Sequence, residues 1–558
     1  MNTLHYPYWP KRLPYEIATP VTNLAHNLAT SAQRYPQQPA IVFYDTQIGY
    51  ERLWREVEAL AGYLEHRAGV RRGDRVLLFM QNSPQFAIAF YAVMRANAVV
   101  VPLNPMLVAD ELATYLADSG ATVAIVGQEL ADKVRPSAPA PLRHTIVAAY
   151  SDYVERETRL NLPPAVAAPR APVAGAGFVA WADALAANET PGPIVTGGDD
   201  PCLLPYTSGT TGRPKGALHT HRSLQTVTVS VAAWFNASSG GRRLSVLPYF
   251  HVTGMMCDMS AALYSGSTLV LMTRWESAAA LALIERYGCQ GLTAISTMVV
   301  DLLASPDFRP EKIATLRQLS GGGAPLPAAV GEQLSGRLGI TYTEGYGLTE
   351  TISMTHSNPP DRPKLQCLGV PTFGVDSRVI DPDSGRELPP GETGEIVSAG
   401  GQVMREYWNQ PEATAEAFIE LDGKRFFRTG DLGYVDDEGY FFLVDRLKRM
   451  INVSGFKVWP AEVETQLYAH PAIKEACVIA SIDPRRGEQA KALVVLRDGA
   501  QASAEEIQAW ARGRMAPYKI PALIEFVDTL PRGATGKVTW RQLQEADQRK
   551  TAAAAPSR

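Results

Sequence analysis

The sequence predicts an α/β fold with mostly parallel sheets: a large N-terminal domain of α/β sheet subdomains, followed by a small C-terminal α/β domain. Three features predict it. First, RVLLFM (Arg75–Met80) follows the turn Arg72-Gly73-Asp74, Ser83-Pro84 then opens a helical segment through Met94, and VVVPL (Val99–Leu103) returns as a β-branched strand. Second, the apolar runs TVAIV (Thr122–Val126) and STLVLM (Ser267–Met272) read as further buried strands, and such repetition calls for parallel sheets. Third, the pattern restarts on a smaller scale after the charged stretch Asp445–Arg449. Helical PAEVETQLYAH, strands ACVIASI and KALVVL, and helical AEEIQAWARGRM follow in turn.

The boundaries follow from these elements. Residues 1–445 form the expected N-terminal domain, 449–545 the C-terminal one, and 546–558 (ADQRKTAAAAPSR) a frayed, flexible tail. Four charged residues within Asp445–Arg449 suggest an exposed connector. The Ala- and Pro-rich stretch 136–177 reads as an irregular surface excursion.

Bulk properties narrow the function. The 558 residues suggest about three or four folding units. A net charge of −4, from 53 basic and 57 acidic residues, gives no reason to expect nucleic acid or an anionic membrane as a partner. Five cysteines without metal-ligand spacing point to reduced thiols and a cytoplasmic location. The aromatic, Pro-rich N-terminus lacks a signal-peptide pattern, and the run Phe86–Met94 is too short to span a membrane. Asn452-Val453-Ser454 is a glycosylation sequon in form only, given that context. Peripheral membrane contact stays compatible with a greasy substrate.

The strongest chemical signal is Tyr206-Thr207-Ser208-Gly209-Thr210-Thr211-Gly212-Arg213-Pro214-Lys215-Gly216. A loop of glycines and hydroxyls turns N–H and O–H groups toward phosphate oxygens, and Lys215 adds a point charge. It is not a Walker A loop, because Pro214 stands five residues past Gly209 and Lys215 precedes Gly216. A flexible turn without chemistry is the bland alternative.

This segment resembles the phosphate loop of the adenylate-forming superfamily, which includes acyl-CoA synthetases, peptide-synthetase adenylation domains and firefly-luciferase-like enzymes. Further matches follow in order from about residue 25 to 545. Pro248-Tyr249-Phe250-His251-Val252-Thr253-Gly254 resembles the next motif, and the resemblance implies that His251 positions or gates the acyl substrate. The Met-rich MMCDMSAALYSG after it reads equally as core packing or as an adaptable wall for an alkyl chain. Ser320-Gly321-Gly322-Gly323-Ala324-Pro325 resembles the adenine-contacting strand and turn. In Glu344-Gly345-Tyr346-Gly347-Leu348-Thr349-Glu350-Thr351, the resemblance implies that Tyr346 stacks on adenine, Thr349 approaches the α-phosphate and Glu350 holds Mg²⁺.

Arg428-Thr429-Gly430-Asp431 resembles the ribose-binding element, since a carboxylate can accept hydrogen bonds from two hydroxyls. Arg446 matches a second ribose or phosphate contact, and Lys448 the family's hinge. Pro531-Arg532-Gly533-Ala534-Thr535-Gly536-Lys537 resembles the catalytic-lysine loop, with Gly533 departing from the usual residue. Ser454-Gly455-Phe456-Lys457 resembles the loop lining the pantetheine channel, which brings Gly455 to the site. Without the family context each of these is a plain turn or surface charge.

The implied reaction is ATP-dependent acyl-AMP formation with pyrophosphate release, then transfer to coenzyme A after the small domain rotates about Lys448. The implied acid is a medium- to long-chain fatty acid, with an aryl or other apolar acid as runner-up. An acyl-AMP ligase loading a carrier protein, a luciferase-like oxidation and a non-catalytic nucleotide sensor are the competing readings. Oligomeric state stays open, a dimer included.

Overall fold

The computed structural model describes residues 3–135, 142–207, 214–322, 326–453, 456–483, 487–533 and 538–554. The chain divides into two compact units. The first comprises Met1–Ser377, Ser398–Phe427 and Glu438–Tyr440; the second comprises Arg378–Val397, Arg428–Asp437 and Phe441–Arg558.

Two large sheets organise the first unit. In one, the strands Pro39–Phe43, Thr268–Leu271, Arg242–Ser245, Gly291–Thr293, Gln318–Gly322 and Tyr342–Leu348 lie side by side and parallel. Antiparallel strands Thr46–Gly49 at one margin and Ser353–Ser357 and Val370–Pro371 at the other complete it. In the second sheet, Pro201–Leu203, Val99–Pro102, Arg75–Phe79, Val123–Gly127, His144–Ala148 and Phe178–Ala180 run parallel. Lys215–Thr220 joins it antiparallel, with Glu406–Tyr407 outside that. The expected β-α-β unit is present: Ser83 Oγ caps the helix Pro84–Arg95 by accepting from Phe86 N at 3.2 Å, and Arg75–Phe79 pairs with Val99–Pro102. Both faces of these strands are covered, so their residues are buried without alternation.

Of the stretch 136–177, the described part from 142 onward is less irregular than its composition predicts. His144–Ala148 is a strand buried in the second sheet, and Tyr150 and Tyr153 anchor the turn after it. Ala and Pro on either side hide the β-branched core of HTIVA.

The N-terminal segment is a strap along the first unit. The Trp9 ring stands edge-on to Trp234 (5.0 Å) and Phe373 (5.2 Å), Arg12 donates to the Ala233 carbonyl at 3.1 Å, and Tyr8 meets Tyr440 at 6.1 Å.

In the second unit the hairpin Ile473–Asp483/Gly487–Leu496 carries Ile451–Val453, Phe456–Val458 and Leu523–Phe526 on its margins. Val463, Leu467, Val478, Val494 and Ile507 build its core. The charged stretch 445–449 is not simply solvated. Asp445 is buried and accepts from Ala461 N at 2.7 Å, at the start of helix Pro460–Tyr468, and Arg449 pairs with Glu464. The final helix, Trp540–Ala554, extends into the segment expected to fray, and Asp547 there accepts from Lys491 Nζ at 2.6 Å. Among the described residues no helix is long and apolar enough to cross a membrane.

Buried histidines give the fold an acid liability. Burial lowers His5, His219 and His221 from the usual 6.5 to about 4, and His356 to about 3. Below pH 6.5 the unfolded chain takes up protons that the native state refuses, so stability falls as pH drops, by about 1.4 kcal/mol per pH unit for each group once below 6.5. Buried carboxyls work in the opposite direction, Asp258 pushed up to about 6 and Glu129, Glu344 and Asp445 raised as well, but each gains only as pH falls through its own raised value, whereas the histidines lose from about 6.5 downward. Urea unfolding should therefore show a clear loss of stability from pH 7 to pH 6, and a flat profile would refute the buried neutral histidines.

Candidate active site

The strand Tyr342–Leu348 is buried at its start and accessible from Gly345 onward, which places Tyr346, Thr349 and Glu350 at the carboxyl end of a parallel strand. Ligands of open α/β sheets bind at such ends. Gly321 and Gly322 lie beside Glu344 and Gly345 in the neighbouring strand. A Cβ on Gly322 would stand 2.4 Å from the Gly345 carbonyl oxygen, so only glycine lets these strands approach so closely.

Glu344 holds this edge together. Its Oε1 accepts from Leu326 N at 2.8 Å and its Oε2 from Cys367 N at 2.9 Å. Burial raises its carboxyl above the ordinary range, and the backbone amides partly offset that. The side chain so orients the chain just after the GGGAP turn. Tyr346, next but one, stands across from His356 with ring centroids 5.6 Å apart.

The turn Thr349–Thr351 is fixed from three sides. His219, fully buried on the strand Lys215–Thr220, places Nε2 2.8 Å from the Thr349 carbonyl oxygen. The carbonyl only accepts, so Nε2 carries the proton of the neutral ring. Tyr407 donates its hydroxyl to Glu350 Oε1 at 2.8 Å, and Met404 N donates to the Glu350 carbonyl at 2.7 Å. Lys215 Nζ lies 4.9 Å from the centre of the Tyr407 ring, a cation–π contact. Thus the two ends of the Gly/Thr-rich loop, Thr207 and Lys215, pair directly in an antiparallel ladder, and the strand leaving it is bonded to the turn carrying Thr349 and Glu350. After that turn, Ile352 (φ 47°) and Ser353 (φ 92°) adopt left-handed backbone that non-glycine residues disfavour. Gly347 makes room for it: a Cβ there would stand 1.5 Å from the Ser353 carbonyl oxygen.

His251 follows the carboxyl end of another strand of the same sheet, Arg242–Ser245. It is half-buried, and its Nδ1 accepts from Thr253 N at 3.4 Å. Asn82 clamps the approach, donating to the Leu247 carbonyl at 2.9 Å and accepting from Tyr249 N at 2.7 Å. The segment after His251 is a π-helical turn, Gly254–Ser260, in which Met255, Met256 and Met259 are fully buried.

In the second unit, Asp431 and Arg446 stand opposite each other across a hairpin, with Arg446 Nε 2.8 Å from Asp431 Oδ1. Asp431 is buried, whereas about half of the Arg446 side chain is exposed. Glu395 fixes the turn before Asp431, accepting from Arg428 Nε at 2.9 Å and Gly430 N at 3.1 Å. Lys448 lies in the single turn Leu447–Arg449.

The structure thus gathers Thr207, Lys215, Gly322, Glu344, Gly345, Tyr346, Gly347, Thr349 and Glu350 on strands and a turn tied across the two sheets, with His251 beyond the carboxyl end of another strand in the sheet of Tyr346. Ser208, Gly209, Thr210, Thr211, Gly212, Gly323, Ala324, Pro325, Gly455 and Lys537 lie outside the described residues. Sequence reasoning missed His219, Tyr407 and Asn82, whose roles are visible only in their partners. All five cysteines are buried, and burial pushes Cys257 up to about 11 and Cys289 and Cys477 up to about 12, which suits core thiols rather than nucleophiles.

Residues 28–408 match the family model of AMP-binding enzymes, and residues 462–537 match the model of the AMP-binding enzyme C-terminal domain. A long-chain-fatty-acid–CoA ligase of Bacillus subtilis (strain 168) is 33% identical over 97% of this chain and 97% of its own length. A feruloyl-CoA synthase of an Amycolatopsis species is 38% identical over 91% of this chain and 95% of its own. The crystal structure of ATP-bound MatB from Rhodopseudomonas palustris superposes with a TM-score of 0.83 at 29% identity, covering 94% of this chain and 99% of that one. The chain belongs to the AMP-binding enzyme family, among its adenylate-forming acyl-CoA ligases.

Two glycines separate site from scaffold. Gly347→Ala should cut acid-dependent ATP–pyrophosphate exchange about a hundredfold, because the turn must shift by about an ångström. Gly336→Ala, inside helix Ala328–Leu338 with open space around it, should instead raise stability by about 0.5–1 kcal/mol and leave exchange unchanged. Thermal melts and exchange rates of the two variants check this.

Proposed function

We propose that this enzyme joins ATP and an apolar carboxylic acid into acyl-AMP, releases pyrophosphate, and transfers the acyl group to coenzyme A, with a medium- to long-chain fatty acid as substrate. The observation that carries this reading is the tie between the Lys215 strand and the Thr349–Glu350 turn through His219 and Tyr407. It joins a phosphate-loop sequence to the carboxylate of Glu350.

In the first step a carboxylate oxygen attacks the α-phosphorus, and the bond to the bridging oxygen of pyrophosphate breaks. Both reactants are negative, so positioning and preorganised positive charge must supply the rate. Lys215 and the loop 207–215 bind the outer phosphates, Thr349 donates toward the α-phosphate, and Lys537 carries charge to the transition state. Tyr346 stacks on the adenine, while Gly322–Pro325 and Glu344–Gly347 shape its slot. Asp431 and Arg446 bind ribose. Among the described residues no three acidic, imidazole or thiol groups cluster as a metal site, and Glu350 is one carboxylate held in place by Tyr407. That donor set fits Mg²⁺, which takes one or two carboxylates and completes its shell with phosphates and water. Mg²⁺ bound by Glu350 would neutralise phosphate charge.

In the second step the sulfur of coenzyme A attacks the acyl carbonyl, its thiol proton passes to solvent, and AMP leaves. The two steps need different surroundings, so the C-terminal domain (449–545) rotates about Lys448, withdrawing Lys537 and bringing Gly455 to the channel. His251 positions the acid. The site is cytoplasmic, and a greasy substrate allows peripheral membrane contact. A second reading, an aryl acid, is favoured by the 38% identity to the feruloyl-CoA synthase.

A panel of fatty and aryl acids, assayed for AMP release with and without coenzyme A, tests the reading. Dodecanoate should release AMP in a coenzyme-A-dependent way. Ferulate as the sole productive acid would select the aryl reading, and no pyrophosphate release with any acid would end both. Lys537→Ala should lose adenylation heavily, whereas Lys448→Pro should impair thioester formation more than adenylation. Tyr407→Phe should raise the Mg²⁺ concentration needed for half-maximal exchange about tenfold, since partners of a metal-binding carboxylate tune its affinity on that scale.

A further inference from the structure

The π-helical turn Gly254–Ser260 contains a buried acid that the reaction does not use. π-turns are rare and concentrate at functional sites. Asp258, within this one, is completely buried. Its Oδ1 accepts from Thr293 Oγ1 at 2.6 Å and lies 3.7 Å from Arg243 Nη2; its Oδ2 lies 3.4 Å from Ser245 Oγ. Arg243 donates in turn to Thr293 Oγ1 at 3.0 Å and to Gln318 Oε1 at 3.3 Å. These partners sit on three neighbouring strands, Arg242–Ser245, Gly291–Thr293 and Gln318–Gly322. Asp258 therefore bolts the π-turn to the sheet.

The residue before it reaches the other half of the site. Cys257 Sγ lies 3.3 Å from Ser353 Oγ, with both side chains buried. Ser353 is the residue whose left-handed backbone closes the Thr349–Thr351 turn, and its carbonyl accepts from Thr351 Oγ1 at 2.9 Å. A turn in disfavoured backbone is held by its surroundings and responds to them. The segment that begins at His251 thus bears directly on the turn that presents Thr349 and Glu350.

We propose that the π-turn is a relay between the acid site and the phosphate–metal turn: Asp258 fixes it to the sheet, and Cys257 against Ser353 passes the state of one site to the other. Asp258, Cys257 and Ser353 are positioning residues, since none is asked to touch a reacting atom. This rests on the proposed roles of His251, Thr349 and Glu350. The consequence is reciprocal: bound acid tightens the nucleotide, and bound nucleotide tightens the acid by the same factor.

The test is equilibrium binding of Mg²⁺ and α,β-methylene-ATP, which cannot release pyrophosphate, by calorimetry with and without the productive acid, dodecanoate or ferulate. The wild-type enzyme should bind the nucleotide about fivefold or more tightly with acid present. Cys257→Ala, Ser353→Ala and Asp258→Asn should bring that factor to within about twofold of unity, while each ligand alone binds nearly as in wild type. Cys257→Ser, which keeps a donor facing Ser353, should retain the coupling. A merely structural contact would weaken all binding alike and would not distinguish serine from alanine at 257. If Asp258→Asn does not fold, the two Cys257 variants decide. Undiminished coupling in Cys257→Ala, or no coupling in a wild-type enzyme that exchanges pyrophosphate normally, overturns the relay. A wild-type enzyme without acid-dependent exchange overturns instead the proposed function on which it stands.

Discussion

The buried carboxylate of Glu344 is the constraint from which the site is built. A charge taken out of water is costly unless hydrogen bonds replace its hydration. Here two backbone amides, of Leu326 and Cys367, do so. Because those amides belong to segments on either side in sequence, satisfying one side chain fixes two loops at once. The Glu344 carbonyl adds a third tie by accepting from Asn358 N and Nδ2. Tyr346 inherits its position from this arrangement, and so does the turn that follows.

Much of this site was legible in the sequence. The strands and the β-α-β unit follow from apolar runs and from Ser83 as a helix cap. The motifs, read in order, lead to strands and turns that the structure ties together, Thr207 with Lys215 and the strand after it with the Thr349–Thr351 turn. What could not be read were couplings between distant positions. His219 meets Thr349 across 130 residues, Tyr407 meets Glu350 across 57, and Asn82 meets Tyr249 across 167. Nothing in a local pattern marks a histidine or an asparagine as the partner of a backbone carbonyl so far away.

Other departures have the same origin. The charges of Asp445 and Arg449 look solvated in sequence, yet a helix N-terminus and Glu464 take them up. The strand His144–Ala148 is masked by the alanines and prolines around it, because its stability comes from the parallel neighbour Val123–Gly127 rather than from propensity. The Met-rich segment, open between core packing and substrate wall, has its methionines buried in a π-turn that Asp258 ties to the sheet.

The N-terminal strap has a consequence for how this protein is made. Trp9 closes against Trp234 and Phe373, and Tyr8 against Tyr440, so this segment waits during synthesis for partners hundreds of residues downstream. Domains tend to fold as units during synthesis, and contacts this distant in sequence form late. A loose ribbon rich in tryptophan and tyrosine therefore stays uncovered until those partners are made, and its greasy rings are natural bait for chaperones in the meantime.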